Sequence, residues 1–170
     1  MLQRRLIVMR HAKSAWPQGI SDHERPLNKR GRAAAPLVAA ELQSRDWTPE
    51  VVVSSDAQRT VETWERMKDH FSPTPQVIFD QSLYLSGYSE VVSAAIQLPD
   101  SCATALFLGH NPGWEMLASQ LAGETIDMAT GVAVLFQTAA ESWKGAFSGR
   151  EWELVGIIRP RELEKESERH

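Results

Sequence analysis

A chain of 170 residues, 42% hydrophobic and 24% charged, has the composition of one folded domain with a genuine core. Its net charge of −4 argues against nucleic acid as a partner, and a single cysteine, Cys102, excludes a disulfide framework or a cysteine-rich zinc cluster.

Arg4 and Arg5 precede an apolar run, Leu6-Ile7-Val8-Met9, that is shorter than the ~7–15 residues of a signal-peptide core. Nothing approaches the ~18 apolar residues of a membrane span, so the expectation is a soluble, cytoplasmic protein with no membrane partner. The run at 6–10 reads instead as a strand buried on both faces. A polar loop, 16–29, carries Pro17, Gly19 and Pro26. Helical spacing follows over 30–45, with Asn28 as a candidate N-cap and Pro36 as a candidate kink or late start. Val51-Val52-Val53 reads as a second strand and 57–71 as a helix ending before Pro73 and Pro75. A strand at 77–79, a helix at 88–98 and a strand at 103–108 follow. Gly109-His110-Asn111-Pro112-Gly113 then turns the chain into a helix over 114–121. Strands are expected at 132–138 and 152–158, joined by a turn near 145–149 in a hairpin edge. The charge-rich stretch 161–170 is expected as a frayed tail or surface helix end behind a single domain spanning 1–160.

Strands alternating with helices predict an α/β three-layer sandwich, with a mostly parallel central sheet flanked by helices and an antiparallel edge. The stretch 80–106 has room for one helix and no cap domain. In such sheets ligands gather beyond the carboxyl ends of the strands. Arg10-His11 follows the first strand, Ser54 to Arg59 the second, and Gly109-His110 the fourth. Two guanidiniums suit an oxyanion such as a phosphoryl group, and imidazoles add a nucleophile or an acid/base. Taken singly, each of these residues has a plain reading as a surface charge or a loop residue, and the glycines around His110 as sources of backbone freedom. Their joint placement at three strand ends favours the functional reading. No P-loop, HExxH or EF-hand pattern is present. Asp22, His23 and Glu24 are clustered, but loop neighbours rarely converge on one ion, so no metal is expected.

Val8-Met9-Arg10-His11-Ala12-Lys13-Ser14, Ser54 to Thr63 and Gly109-His110-Asn111-Pro112-Gly113 resemble, in order, the three signatures of the histidine phosphatase, or phosphoglycerate mutase-like, superfamily. The RHAKS start and Glu24-Arg25-Pro26-Leu27 leading to Gly31 are most similar to its small SixA-type phosphohistidine phosphatases. The resemblance implies that His11 becomes phosphorylated, that Arg10 and Arg59 bind the phosphoryl group, and that His110 completes the pocket, donating to a phosphoryl oxygen as imidazole or imidazolium. Arg25 is a secondary candidate for the same anion. Ala12 stands where the family usually has glycine, and Leu85, in Leu83-Tyr84-Leu85-Ser86-Gly87, where many members carry a catalytic glutamate.

The function implied is a metal-independent, cofactor-free phosphatase working through a phosphohistidine intermediate. Its expected substrate is phosphohistidine on a protein of the histidine phosphotransfer type. Two alternatives stand beside it. One is a phosphomonoesterase for small phosphorylated molecules, with Asp22, Glu24 or water replacing the glutamate. The other is a non-catalytic phosphoprotein-binding module, against which His11 argues. Trp16 and Trp114 flank two of the motifs and are candidates either for a pocket wall or for the core.

Overall fold

The computed structural model describes residues 2–169. Its centre is β1 (Gln3–Arg10), whose alternate side chains leave in opposite directions and are all buried from Leu6 to Met9. Leu6 and Val8 enter one core, and Ile7 and Met9 the other. The same alternation holds in β4 (Thr104–Gly109), where Ala105 and Phe107 share the first core and Leu106 and Leu108 the second. A continuous apolar run therefore specifies a strand covered on both faces.

One six-stranded sheet runs β3-β2-β4-β1-β5-β6, with β2 at Val51–Ser54, β3 at Gln76–Phe79, β5 at Ala133–Ala139 and β6 at Glu153–Ile158. The β3-β2, β2-β4 and β4-β1 pairs are parallel, and β5 is antiparallel to both β1 and β6. Helices α1 (Lys29–Ser44) and α2 (Gln58–Met67) cover one face through Val38, Leu42, Trp64 and Met67. Helices α3 (Tyr88–Ala95), α4 (Gly113–Ala122) and α5 (Trp143–Ala146) cover the other through Val91, Trp114, Leu117 and Trp143. Between β3 and β4, α3 follows a single 3-10 turn at Gln81–Leu83, and no cap domain is inserted.

The Asn28 carboxamide accepts from the Gly31 amide, so α1 begins at its predicted cap and runs on through Pro36. The 57–71 helix is shorter than expected and finishes as a 3-10 turn at Lys68–His70. The connection between β5 and β6 is not a simple turn. Ser142 caps α5 by accepting from the Gly145 amide, and burial of Trp143 and Ala146 draws that segment into the core despite its glycines. The stretch 161–170, expected as a frayed tail or a surface helix end, is helical as far as Glu168 in α6 (Pro160–Glu168), with Leu163 packed on the α1 side of the sheet and Arg30 paired to Glu164. No helix among the described residues is long and apolar enough to cross a membrane.

Arg4, read in the sequence only as a charge ahead of an apolar run, is fully buried. Its guanidinium donates to the carbonyls of Asp100, Cys102, Ala140 and Glu141 at 2.5–3.1 Å. One side chain thus ties the start of β1 to the segment before β4 and the segment after β5. Carbonyls buried without such a donor would cost about 1–3 kcal/mol each.

Candidate active site

The three strand ends singled out in the sequence belong to adjacent strands, β2, β4 and β1. Arg10 pairs with Gly109 across β1 and β4, and Ser54 with Leu108 across β2 and β4. The ladder continues one step beyond the strands: the His11 amide donates to Gly109, and the Ser55 amide to Leu108, both at 3.0 Å. Arg10, His11, Ser55 and His110 therefore emerge side by side.

Two glycines permit this closeness, and not through positive φ. A Cβ on Gly109 would lie 2.3 Å from the Trp114 indole, and one on Gly31 would lie 2.1 Å from the Lys13 carbonyl oxygen. The first lets buried Trp114 pack directly against the end of β4. The second seats the start of α1 against the loop after His11. Trp114 is thus a core residue, its indole donating to the Phe107 carbonyl. Trp16 is 78% exposed and stacks on Arg25, with 3.5 Å from guanidinium carbon to ring centroid.

His11 and His110 are both buried, with ring centroids 5.3 Å apart. His11 Nδ1 lies 2.7 Å from the Ala12 carbonyl oxygen, which can only accept. The ring proton therefore sits on Nδ1 and the lone pair on Nε2. Thr63 holds this turn, its hydroxyl accepting from the Ala12 amide and donating to the Arg59 carbonyl. His110 Nε2 lies 2.8 Å from Ser55 Oγ, which also accepts from the Ala57 amide. Among the hydrogen bonds of the described residues, Nε2 is the acceptor within reach of the serine proton, so that proton goes to Nε2 and the imidazole proton to Nδ1. Burial chiefly, with the neighbouring His11 and Arg59, pushes His110 down to about 3. Burial, reinforced by Arg59, Arg10 and Arg25 and opposed by the Ala12 carbonyl, pushes His11 down to about 3. Both rings are neutral near pH 7, so His110 is a neutral donor rather than an imidazolium in the resting protein.

Arg10 is supported apart from Arg59 and Arg25, which share Asp22. Arg10 donates to the Met128 carbonyl, and Asn111 and Glu115 hold that loop by bonding the Met128 carbonyl and amide. Arg59 is buried and donates to the Asp22 carbonyl at 2.7 Å and the Asp22 carboxylate at 3.1 Å. Buried Arg25 donates to the same carboxylate at 3.2 Å and to Ser14 and Ala15. Tyr84 also donates to the Asp22 carboxylate, and its ring lies edge-on to His110 with centroids 5.5 Å apart. The Tyr84 hydrogen bond first, and then Arg59, lower the Asp22 carboxyl to about 2. Asp22 is therefore ionised near neutrality and does not supply a proton as an acid. The neighbours Asp22, His23 and Glu24 diverge, with His23 turned to Asp56 at 2.9 Å. Leu85 is 62% exposed at φ 53°, and Tyr84 is the residue of its segment that reaches the site.

Five buried side-chain nitrogen or oxygen atoms among the described residues lack a hydrogen-bond partner. Three are Arg10 Nε, Arg59 Nε and His110 Nδ1, all donors on residues already chosen from the sequence. Such donors cost about 1–3 kcal/mol each when unsatisfied, and an oxyanion is the complementary partner.

The imidazoles also make stability pH-dependent. Between about 6.5 and 3 the unfolded chain takes up a proton on each of them and the folded one does not. Stability present above pH 6.5 is therefore lost as pH falls. Between pH 6.5 and 5 the loss should be on the order of 1–2 kcal/mol per ring. Urea midpoints at the two pH values should show this drop, and His110→Gln should reduce it by about half. A variant that keeps the whole drop would contradict a neutral, buried His110.

The profile of the histidine phosphatase superfamily (branch 1) matches residues 6–83. An uncharacterized chloroplastic protein of Arabidopsis thaliana is 38% identical over 94% of this chain and 79% of its own. A solved putative phosphohistidine phosphatase SixA from Nakamurella multipartitia superposes with a TM-score of 0.83 at 25% identity, covering 93% of this chain and 96% of that one. A protein histidine phosphatase SixA complexed with tungstate shares the fold with a TM-score of 0.78 at 23% identity, over 94% and 99% of the two chains. With the three motifs gathered at one end of this sheet, the chain belongs to the histidine phosphatase superfamily, on its SixA-type branch, and is a phosphatase.

Proposed function

We propose that the protein removes phosphate from phosphohistidine on a protein, through a phosphohistidine formed on its own His11 and without a metal ion. The observation that carries this reading is the His11 tautomer: Nδ1 is committed to the Ala12 carbonyl, and Nε2 is left unprotonated beside Arg10, Arg59 and His110. A neutral imidazole with its lone pair free is a nucleophile as it stands. It attacks phosphorus in line as the bond to the leaving nitrogen breaks. Charge on the three equatorial oxygens is met by Arg10, Arg59 and the His110 Nδ1 proton, with Arg25 behind them. Water then attacks the phosphoenzyme, the bond to His11 Nε2 breaks, and inorganic phosphate leaves.

The positive charge is built from side chains, so the reading requires no divalent ion. The absence of a cap between β3 and β4 leaves the strand ends open to a phosphate displayed on another protein. Intact mass after brief mixing with phosphoramidate in a chelator, followed by a quench that avoids acid, tests the intermediate. One added phosphoryl group, lost in acid and stable in base, is expected. No adduct, or one that appears only with an added divalent ion, would overturn the reading.

A further inference from the structure

Beside the histidines lies a second feature that, Arg10 apart, the chemistry above does not use. An open cleft of about 600 Å³ runs between the end of β1, the start of α1, the 129–132 loop and α6. Arg10, Lys13, Arg30, Arg159, Arg161 and Lys165 line it, against two carboxylates, Glu162 and Glu164. Six cations against two anions give a local excess of four positive charges on a chain whose net charge is −4. Glu164 is paired with Arg30, and Arg159 donates to the Asp127 carbonyl. Lys13, Arg161 and Lys165 have no ion pair among the described residues. The floor is apolar, formed by Ala34, Val132 and Pro160.

We propose that this cleft is a specificity subsite, which seats acidic side chains flanking the phosphorylated residue of a protein substrate. The proposal rests on the phosphoprotein reading above and adds to it what selects the protein. The cations are spread over separate parts of the chain: the end of β1, the loop after it, the start of α1 and the segment 159–165 at α6. Spread charges on flexible stems suit several separate carboxylates, whereas one phosphate is held by converging forks. The volume exceeds the space of a single anionic group and falls in the range that holds several side chains. Arg10 belongs to both places, lining the cleft while its charge is felt by His11 and His110. A substrate reaching His11 thus passes its neighbouring residues over the cleft.

The test uses a histidine peptide flanked by Asp and Glu, its Asn and Gln counterpart, and the double variant Arg161→Glu, Lys165→Glu. Fluorescence anisotropy with the unphosphorylated peptides reads the cleft alone. Wild type should bind the acidic peptide about tenfold more tightly than the neutral one, with the advantage shrinking in salt and vanishing in the double variant. With phosphorylated peptides the same preference should appear in KM. An aryl phosphate, which does not extend into the cleft, should be turned over equally by wild type and variant, which also shows the variant to be folded. Equal binding of the two unphosphorylated peptides, or a preference that survives in the variant, overturns the subsite. Preferred binding without any phosphohistidine turnover by wild type would instead overturn the substrate reading and leave the subsite standing.

Discussion

Replacing His11 with alanine is expected to lower turnover by at least about 10⁴-fold and to remove the phosphoenzyme from the mass spectrum. The size of the loss follows from the division of labour in the site. In the proposed chemistry Arg10, Arg59 and His110 stabilise charge in either step, whereas His11 Nε2 supplies the lone pair that is not engaged in a hydrogen bond. Removing it removes the covalent route, not one contribution among several. The fold should survive, because the ladder at this point is made by the His11 amide and Gly109 carbonyl rather than by the imidazole. Near-normal turnover by a folded His11→Ala protein would refute the assignment of the nucleophile.

Arg59→Ala makes an informative contrast, with an expected loss of about 10²–10³-fold and an intermediate that still forms slowly. Arg59 is buried and does two things at once: it faces the anion site and it holds the Asp22 backbone and carboxylate. Some of its effect should therefore appear in KM, through loosening of the loop around Asp22. His11→Ala should act on the chemical step.

Both variants concern residues legible in the sequence, for a physical reason. β1 and β4 are buried on both faces, so their apolar runs are continuous and end abruptly in charge, and the rule about strand ends then points directly at Arg10, His11 and His110. What was not legible lies where long-range packing decides. Tyr84 sits in a loop in which attention falls on the neighbouring Leu85, and only the folded chain shows the phenol meeting Asp22 and His110. Asp22 in sequence is one of three adjacent candidate ligands, and only the contacts show it to be the shared partner of Arg59, Arg25 and Tyr84. Ser55 is an ordinary hydroxyl until its bond to His110 fixes a tautomer. Helix α5 was hidden by Gly145 and Gly149, whose turn signal is local, while burial of Trp143 is not. For α6 the sequence leaves a frayed tail and a surface helix end both open, because few of its residues turn inward to decide between them.

The identity of the leaving group should separate substrates by a factor of about 10²–10⁴, the usual contribution of a positioned general acid. Phosphoserine expels an alkoxide, which needs a proton as the bond to phosphorus breaks. Among the described residues, the carboxyl group that reaches the cluster of Arg59, Arg25 and Tyr84 is that of Asp22, and it does not meet this need. Leu85 stands in the segment where an acid would be expected and is turned to solvent. Asp22 reaches the site but is held ionised by Tyr84 and Arg59. The Tyr84 phenol, raised by burial and by Asp22, keeps its proton and donates its hydrogen bond to that carboxylate. Phosphohistidine has no such requirement, since its imidazole leaves neutral once the other ring nitrogen is protonated, and solvent supplies that proton near pH 7. Values of kcat/KM for a phosphohistidine peptide, an aryl phosphate and a phosphoserine peptide should therefore fall in that order, the phenolate leaving more easily than the alkoxide. Comparable turnover of the phosphoserine peptide would mean that a proton donor does act in this site. Tyr84 is the candidate, because its phenol lies edge-on to His110, and Tyr84→Phe would then abolish the phosphoserine reaction while sparing that of phosphohistidine.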